Sequence, residues 1–314
     1  MNWNIESCII FETTVGSQMY GTSTPESDKD FRGCCIPPWE IRNSLLTRFD
    51  QKDSGWESDY EDDGKYGVWL DRVIYNLKKF LTLCKDANPA IIELLFAPEK
   101  CWVTCRKEWI EILDRTDYFI SKKAKYTFTG YAHSQLQRIM THRGWLLSPP
   151  KEEPTREKFG LPMNPRLTNE QISAVVSIPA DLFVTEYRVE AEKEKHYREA
   201  RRYWDMYMNW KVHRNPARAA LEEKYGYDTK HAMHLIRLMY EGEELLLTGK
   251  ITFPRPELDE LVAVRNGLYT YEQLMEKVEG YDARFEVLYE KSTLRYAPDF
   301  VAINELYLKL IEEK

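Results

Sequence analysis

The sequence lacks any apolar run of the roughly 20 residues that a membrane-spanning helix needs. Its six cysteines include no Cys-x-x-Cys pair, which argues against a zinc site. The N-terminus also lacks the pattern of a secretory signal, so we expect reduced thiols in the cytoplasm. Together these absences predict a soluble cytoplasmic protein without a membrane partner.

An excess of positive charge is also missing, since the formal net charge of the 314 residues is −7. A contact with nucleic acid would therefore depend on a local patch rather than on a field around the whole protein. One such region is the mildly basic stretch between Arg188 and Arg237. With 43% hydrophobic residues, the chain can bury a core as one large domain or as two moderate ones.

The most informative segment runs from Val15 to Gly33 and reads VGSQMYGTSTPESDKDFRG. The residues from 7 to 15 are rich in Ile, Phe, Thr and Val, which predicts a buried strand that leads into this segment. Gly16 and Ser17 would then form a tight turn whose backbone N–H groups and hydroxyl can face phosphate oxygens.

A second strand is predicted from about 28 to 36, because Pro37 and Pro38 cannot donate to a strand ladder. Alternate side chains of a strand share a face, so Asp28 and Asp30 would lie side by side. Two like charges need a partner, and a pair of divalent cations would supply it at a site for in-line displacement at phosphorus.

Other carboxylates lie downstream of this motif. The acidic stretch from 50 to 63 is typical of a solvated loop, although Asp62 or Asp63 could instead bind a metal. Residues 66 to 75 predict a strand that carries Asp71, followed by a helix from 76 to 85. Glu93 sits in the apolar run IIELLF, where we favour a structural role over a place in the active site.

A second informative stretch runs from Asp228 to Arg237. Asp228 or Thr229 can cap a helix, after which Lys230, His234 and Arg237 lie on one face at i, i+4 and i+7. Three donors in a row could hold a triphosphate or the backbone of an acceptor, and an ordinary charged helix surface is the equal alternative.

Five prolines between residues 148 and 170 indicate a linker or an irregular insertion. The helical pattern beyond it includes an aromatic stripe of Tyr203, Tyr207 and Trp210, which favours a core over a base-stacking platform. We therefore predict an α+β fold. Residues 1–147 would form a mixed sheet with helices, 148–170 a linker, and 171–314 a mostly helical domain that binds the nucleotide and the acceptor.

The pairs Gly16-Ser17 and Asp28-x-Asp30 also resemble the signature of the DNA polymerase beta-like nucleotidyltransferase superfamily. The chain is most similar to its YcgL-like group of bacteria and phages, described as RNA-repair-associated predicted nucleotidyltransferases. The residues that fit this group are Tyr20-Gly21, Ser27-Asp28, Asp30, Arg32-Gly33, Leu77 to Leu81, Asn88-Pro89 to Phe96, and Tyr227 to Leu238. The resemblance implies a polymerase beta-like catalytic domain.

The resemblance further implies that the protein transfers a nucleoside monophosphate from an NTP to an acceptor hydroxyl. Two Mg²⁺ ions, which Mn²⁺ could replace, would be held by Asp28, Asp30 and a third carboxylate on a neighbouring strand. Asp71 is the best candidate for that third ligand, although it could instead be an edge-strand aspartate paired with Arg72 or a lysine. Lys79 matches a lysine that could contact the triphosphate, or it is a surface lysine of an amphipathic helix.

Three functions remain open from the sequence. The first is addition of a nucleotide to an RNA 3′ end, which the RNA-repair resemblance and the mildly basic stretch favour. The second is the same transfer to a protein side chain or a small molecule. The third is a non-catalytic nucleotide- or RNA-binding protein that retains the fold.

Overall fold

A computed structural model describes residues 3–25, 27–54, 70–165, 167–179 and 186–312. Contacts between residues divide the chain into two compact units. The first unit joins Met1–Arg138 with Thr229–Lys314, and the second is Ile139–Asp228. This division differs from the boundaries predicted at 147 and 171. The segment Thr229–Lys314, which we predicted as part of a separate domain, belongs to the same unit as the N-terminal sheet.

The first unit contains a five-stranded mixed sheet in the order β3-β4-β2-β1-β5. Its strands are β1 (Ile9–Val15), β2 (Lys29–Cys35), β3 (Gln51–Ser54), β4 (Leu70–Asn76) and β5 (Trp102–Cys105). Strands β2 and β4 are parallel, and the other neighbouring pairs are antiparallel. This sheet, with its many helices, confirms the predicted α+β class.

The α-helices are short at the sheet and longer towards the C-terminus. They are α1 (Ser17–Tyr20), α2 (Trp39–Arg42), α3 (Leu77–Lys85), α4 (Pro89–Ile92), α5 (Lys107–Leu113), α6 (Ala124–Leu147), α7 (Asn169–Ser177), α8 (Glu186–His213), α9 (Pro216–Tyr225), α10 (Thr229–Thr248), α11 (Leu258–Arg265), α12 (Tyr271–Lys291) and α13 (Phe300–Glu312). None of the helices in the described ranges is long and apolar enough to cross a membrane.

The predicted strands at 7–15, 28–36 and 66–75 are found with slightly different ends, and residues 66–69 lie outside the described residues. The prediction of a loop from 50 to 63 is wrong for Gln51–Ser54, which pairs with β4 as an edge strand. Composition favours a loop there, but strand formation depends on the tertiary context, and β4 supplies a neighbouring strand for backbone hydrogen bonds. Asp62 and Asp63 lie outside the described residues.

The core of the first unit keeps β1, β2 and β4 in register. Phe11 of β1 stacks on Trp109 with 3.9 Å between ring centroids, and Phe80 of α3 meets Trp109 edge-on. Gly33 of β2 leaves no room for a side chain, because a Cβ there would lie 2.5 Å from the carbonyl oxygen of Phe11. Strand β2, which carries Asp30, is therefore packed tightly against β1.

In the second unit, the irregular proline-containing segment includes a 3-10 turn at Glu157–Phe159. The aromatic stripe of α8 contacts Trp145, with ring centroids of Tyr203, Tyr207 and Trp210 at 5.9, 5.8 and 5.2 Å from it. Tyr207 is buried and Trp210 is half-buried, whereas Tyr203 is 45% exposed, so the prediction of a core holds for Tyr207 and Trp210 but not for Tyr203.

Candidate active site

Three carboxylates meet at the start of β2 and β4. Asp30 of β2 and Asp71 of β4 are direct partners in the parallel register, which places both side chains on one face of the sheet. Asp28 is exposed and lies just before β2. The pKa of Asp30 is raised, first by partial burial and then by the negative charges of Asp71 and Asp28. The structure thus brings the three predicted aspartates together.

Gly16 forms the sharp turn that joins β1 to α1. Its φ of 64° lies in the left-handed region, and Val15 before it pairs with Asp30. A Cβ at Gly16 would lie only 2.6 Å from Oδ2 of Asp30. The turn and the carboxylate therefore touch, and Ser17 begins α1 directly beside them.

Asp71 is held by Arg32, a partner that the sequence reasoning missed. Nη2 and Nη1 of Arg32 donate to the two carboxylate oxygens of Asp71 at 3.0 and 3.2 Å. Arg72, which was considered as the partner, instead contacts Glu12 and Glu6 at 2.5 and 2.7 Å, because neighbouring residues of β4 point to opposite faces. The sequence signal that could have indicated this contact is the two-residue spacing of Asp30 and Arg32, which places both side chains on one face of a strand.

The three residues of the predicted cationic face of α10 become more buried along the helix. Lys230 is exposed near the start of the helix. Its positive charge lowers the pKa of Asp30 and so opposes the effect of burial and of the neighbouring aspartates. His234 is half-buried one turn further on. The prediction that Arg237 faces a phosphate is not supported by its position, because Arg237 is 7% exposed and engaged by carboxylates. The stripe runs from the surface into the core as the helix enters the protein.

A buried network surrounds Arg237. Its Nη1 donates to Glu93 at 2.6 Å and to Glu241 at 2.7 Å, and its guanidinium lies 4.0 Å from the ring centroid of Tyr20. The hydroxyl of Tyr20 donates to Glu93 at 2.6 Å. Burial raises the pKa of Glu241 to about 8. The structural role predicted for Glu93 is confirmed, and the network ties α1, just after the Gly16 turn, to α10.

Lys79 is not brought to the carboxylates. It lies in the first turn of α3, where its backbone N–H donates to the capping side chain of Asn76 at 2.7 Å. Asn76 ends β4 five residues after Asp71, which corresponds to about 16 Å along the strand. Lys79 is therefore at the opposite end of β4 from the site.

Adjacent aspartates on a parallel strand pair, beside a glycine turn, are the arrangement that the polymerase beta-like resemblance implies. Residues 2–147, just under half of the chain, are similar to this polymerase beta-like class of proteins. Within the class, the same residues match the family model described as RlaP, the RNA repair pathway DNA polymerase beta family.

The chain is also similar to a curated phage protein. This relative is the uncharacterized 38.9 kDa protein in the nrdC-mobD intergenic region of Enterobacteria phage T4, with 27% identity over 133 residues. The match covers 41% of this chain and 38% of the phage protein. No solved structure matches the chain.

Proposed function

We propose that the protein is a Mg²⁺-dependent nucleotidyltransferase that transfers a nucleoside monophosphate from an NTP to a hydroxyl at an RNA 3′ end, with pyrophosphate as the leaving group. The observation that carries this proposal is the contact between the Gly16 turn and Asp30, with Asp71 paired directly beside Asp30. A turn that can face phosphate oxygens thus adjoins carboxylates that can hold a metal.

The carboxylates fit the proposed metal. Mg²⁺ prefers oxygen ligands, and Asp30 and Asp71 supply carboxylate oxygens on one face of the sheet, with Asp28 close enough to act on the charge of Asp30. Partial burial and then the negative charges of Asp71 and Asp28 raise the pKa of Asp30, and the positive charges of Arg32 and Lys230 offset this only in part. Asp71 would have to share its oxygens between Arg32 and the metal. Bound Mg²⁺, or Mn²⁺ in its place, would offset charge on the phosphates and make the acceptor hydroxyl more acidic.

The protein side chains would divide the remaining work. Gly16 and Ser17 would hold the β and γ phosphates, because a turn without a Cβ allows the closest backbone approach. Lys230 and His234 would add donors for the triphosphate from the start of α10. Arg237 would not contact the nucleotide. It would instead hold α10 in place relative to α1, the helix that follows the turn.

The acceptor class is inferred from the family rather than from the geometry. The matching family is described by an RNA repair pathway, which favours an RNA acceptor over a protein side chain or a small molecule. The formal charge of −7 is compatible with RNA binding only through a local patch.

A labelling experiment tests the proposal. The protein is incubated with Mg²⁺, one α-labelled NTP at a time, and either cellular RNA or a cellular protein pool. Label in RNA, lost with EDTA and after ribonuclease treatment, is the expected result. Label in protein or in small molecules, rather than in RNA, would show that the acceptor belongs to that class and that the proposed RNA acceptor is wrong. Absence of Mg²⁺-dependent NTP binding by calorimetry would leave a non-catalytic binding protein instead.

A further inference from the structure

A polar cavity lies in the first unit, at the end of the sheet opposite the three aspartates. It has a volume of about 500 Å³ and is lined by residues that follow β2, by the junction of β4 and α3, and by α13. Ile36 follows the last residue of β2, and Asn76 ends β4. We call it the cationic cavity and define it by Arg42, Arg48, Phe49, Lys78 and Tyr307.

Basic side chains outnumber acidic ones in this cavity. Among the described residues that line it, Arg42, Arg48 and Lys78 are basic and Asp50 is acidic. Arg48 pairs with Asp50 at 2.9 Å, whereas no described carboxylate forms an ion pair with Arg42 or Lys78. The excess of positive charge in a concave site favours an anion.

Arg42 is fixed in place at the cavity wall. Its Nη1 donates to the carbonyl oxygen of Ile311 on α13 at 3.1 Å, and its Nε is buried without a hydrogen-bond partner among the described atoms. A guanidinium held by a backbone carbonyl keeps its full charge, and its remaining donors suit a phosphate. Lys78 adds a second charge from the first turn of α3.

The other walls of the cavity are apolar. Ile36, Ile41, Phe49, Leu77 and Tyr307 line it beside the basic residues. A volume of about 500 Å³ lies within the range of about 300 to 1,000 Å³ that is usual for small-molecule sites. Aromatic and aliphatic walls accept the flat face of a base, whereas an inorganic anion would need none of them.

We propose that the cationic cavity binds a nucleotide, with its phosphate at Arg42, Arg48 and Lys78 and its base against Phe49 and Tyr307. The nucleotide is either free or part of an RNA chain, since the recognising chemistry is the same. The cavity is about 16 Å from Asp71 along β4, so it is separate from the proposed catalytic site and does not depend on it.

The test is a binding measurement in EDTA, which prevents metal-dependent binding at the aspartates. The ligands are AMP, adenosine and a single-stranded RNA of about ten nucleotides, titrated by calorimetry or fluorescence anisotropy. The cavity variant is Arg48→Gln/Lys78→Gln, which keeps the contact of Arg42 with α13. The matched control is Lys250→Gln/Lys291→Gln, which makes the same charge change at exposed sites away from the cavity. Thermal unfolding checks that both variants fold.

The wild type and the control should bind AMP, the RNA or both, and the cavity variant should bind at least about tenfold more weakly because two phosphate contacts are lost. Binding of AMP identifies a free-nucleotide site, and binding of the RNA alone identifies a nucleotide within a chain. The variant Asp28→Asn/Asp30→Asn should bind like the wild type. The proposal is overturned if the wild type binds neither ligand, if the cavity variant and the control bind equally, or if adenosine binds as tightly as AMP.

Discussion

Replacing Arg237 with methionine should destabilise the first unit strongly, because Glu93 and Glu241 would stay buried without their cation. Removing one partner from a buried ion pair costs about 3–5 kcal/mol. Arg237 contacts Glu93, Glu241 and the ring of Tyr20, so the upper half of that range is expected above about pH 8, where Glu241 is ionised. The free energy of unfolding from urea titrations followed by tryptophan fluorescence measures the loss.

The matched control is Arg138→Met, which removes an exposed arginine of α6 and should change the free energy of unfolding by at most about 0.5 kcal/mol. A loss below about 1 kcal/mol in Arg237→Met would refute the reasoning. Such a result would mean that the two carboxyl groups become hydrated or protonated at little cost. It would also mean that the network does not hold α1 against α10.

Three further changes test other parts of the account. The pKa of Glu241 is raised from 4.5 to about 8, so between these pH values the folded protein binds more protons than the unfolded chain. The free energy of unfolding should therefore fall as pH rises through this range. In Glu241→Gln, urea unfolding should show a smaller fall. Gly16→Ala should cost at least about 1–2 kcal/mol for its left-handed backbone, whereas Gly280→Ala, in open space on α12, should be neutral or stabilising. Arg32→Gln should tighten Mg²⁺ binding severalfold in calorimetry, because the competing cation on Asp71 is removed; weaker binding would show that Arg32 supports the metal site instead.

The sequence was a good guide wherever a local pattern determines the geometry. The tight turn predicted at Gly16 is found between β1 and α1, and Asp30 lies on the second predicted strand, with Asp28 one residue before it. The place of Asp71 beside Asp30 followed from the family resemblance, since strand order is not written in local periodicity. These features cover the part of the site that lies within β1, β2 and β4.

Long-range packing could not be read in the same way. Lys230 and Arg237 share a helical stripe, but whether each end of the stripe is exposed depends on how deeply α10 enters the core. The edge strand Gln51–Ser54 pairs with β4, and the acidic composition of the longer stretch from 50 to 63 conceals this pairing. Likewise, Arg32 is close to Asp71 only because two parallel strands, separated by a long connection, lie side by side.

The central claim is that Asp28 and Asp30 hold the metal for transfer of a nucleoside monophosphate. The most direct measurement compares Mg²⁺-dependent transfer of label from α-labelled NTP to RNA by the wild type and by Asp28→Asn/Asp30→Asn. Loss of several kcal/mol of transition-state stabilisation predicts a rate lower by at least about a hundredfold, with thermal unfolding almost unchanged. Transfer at the wild-type rate by the folded double variant would contradict the account.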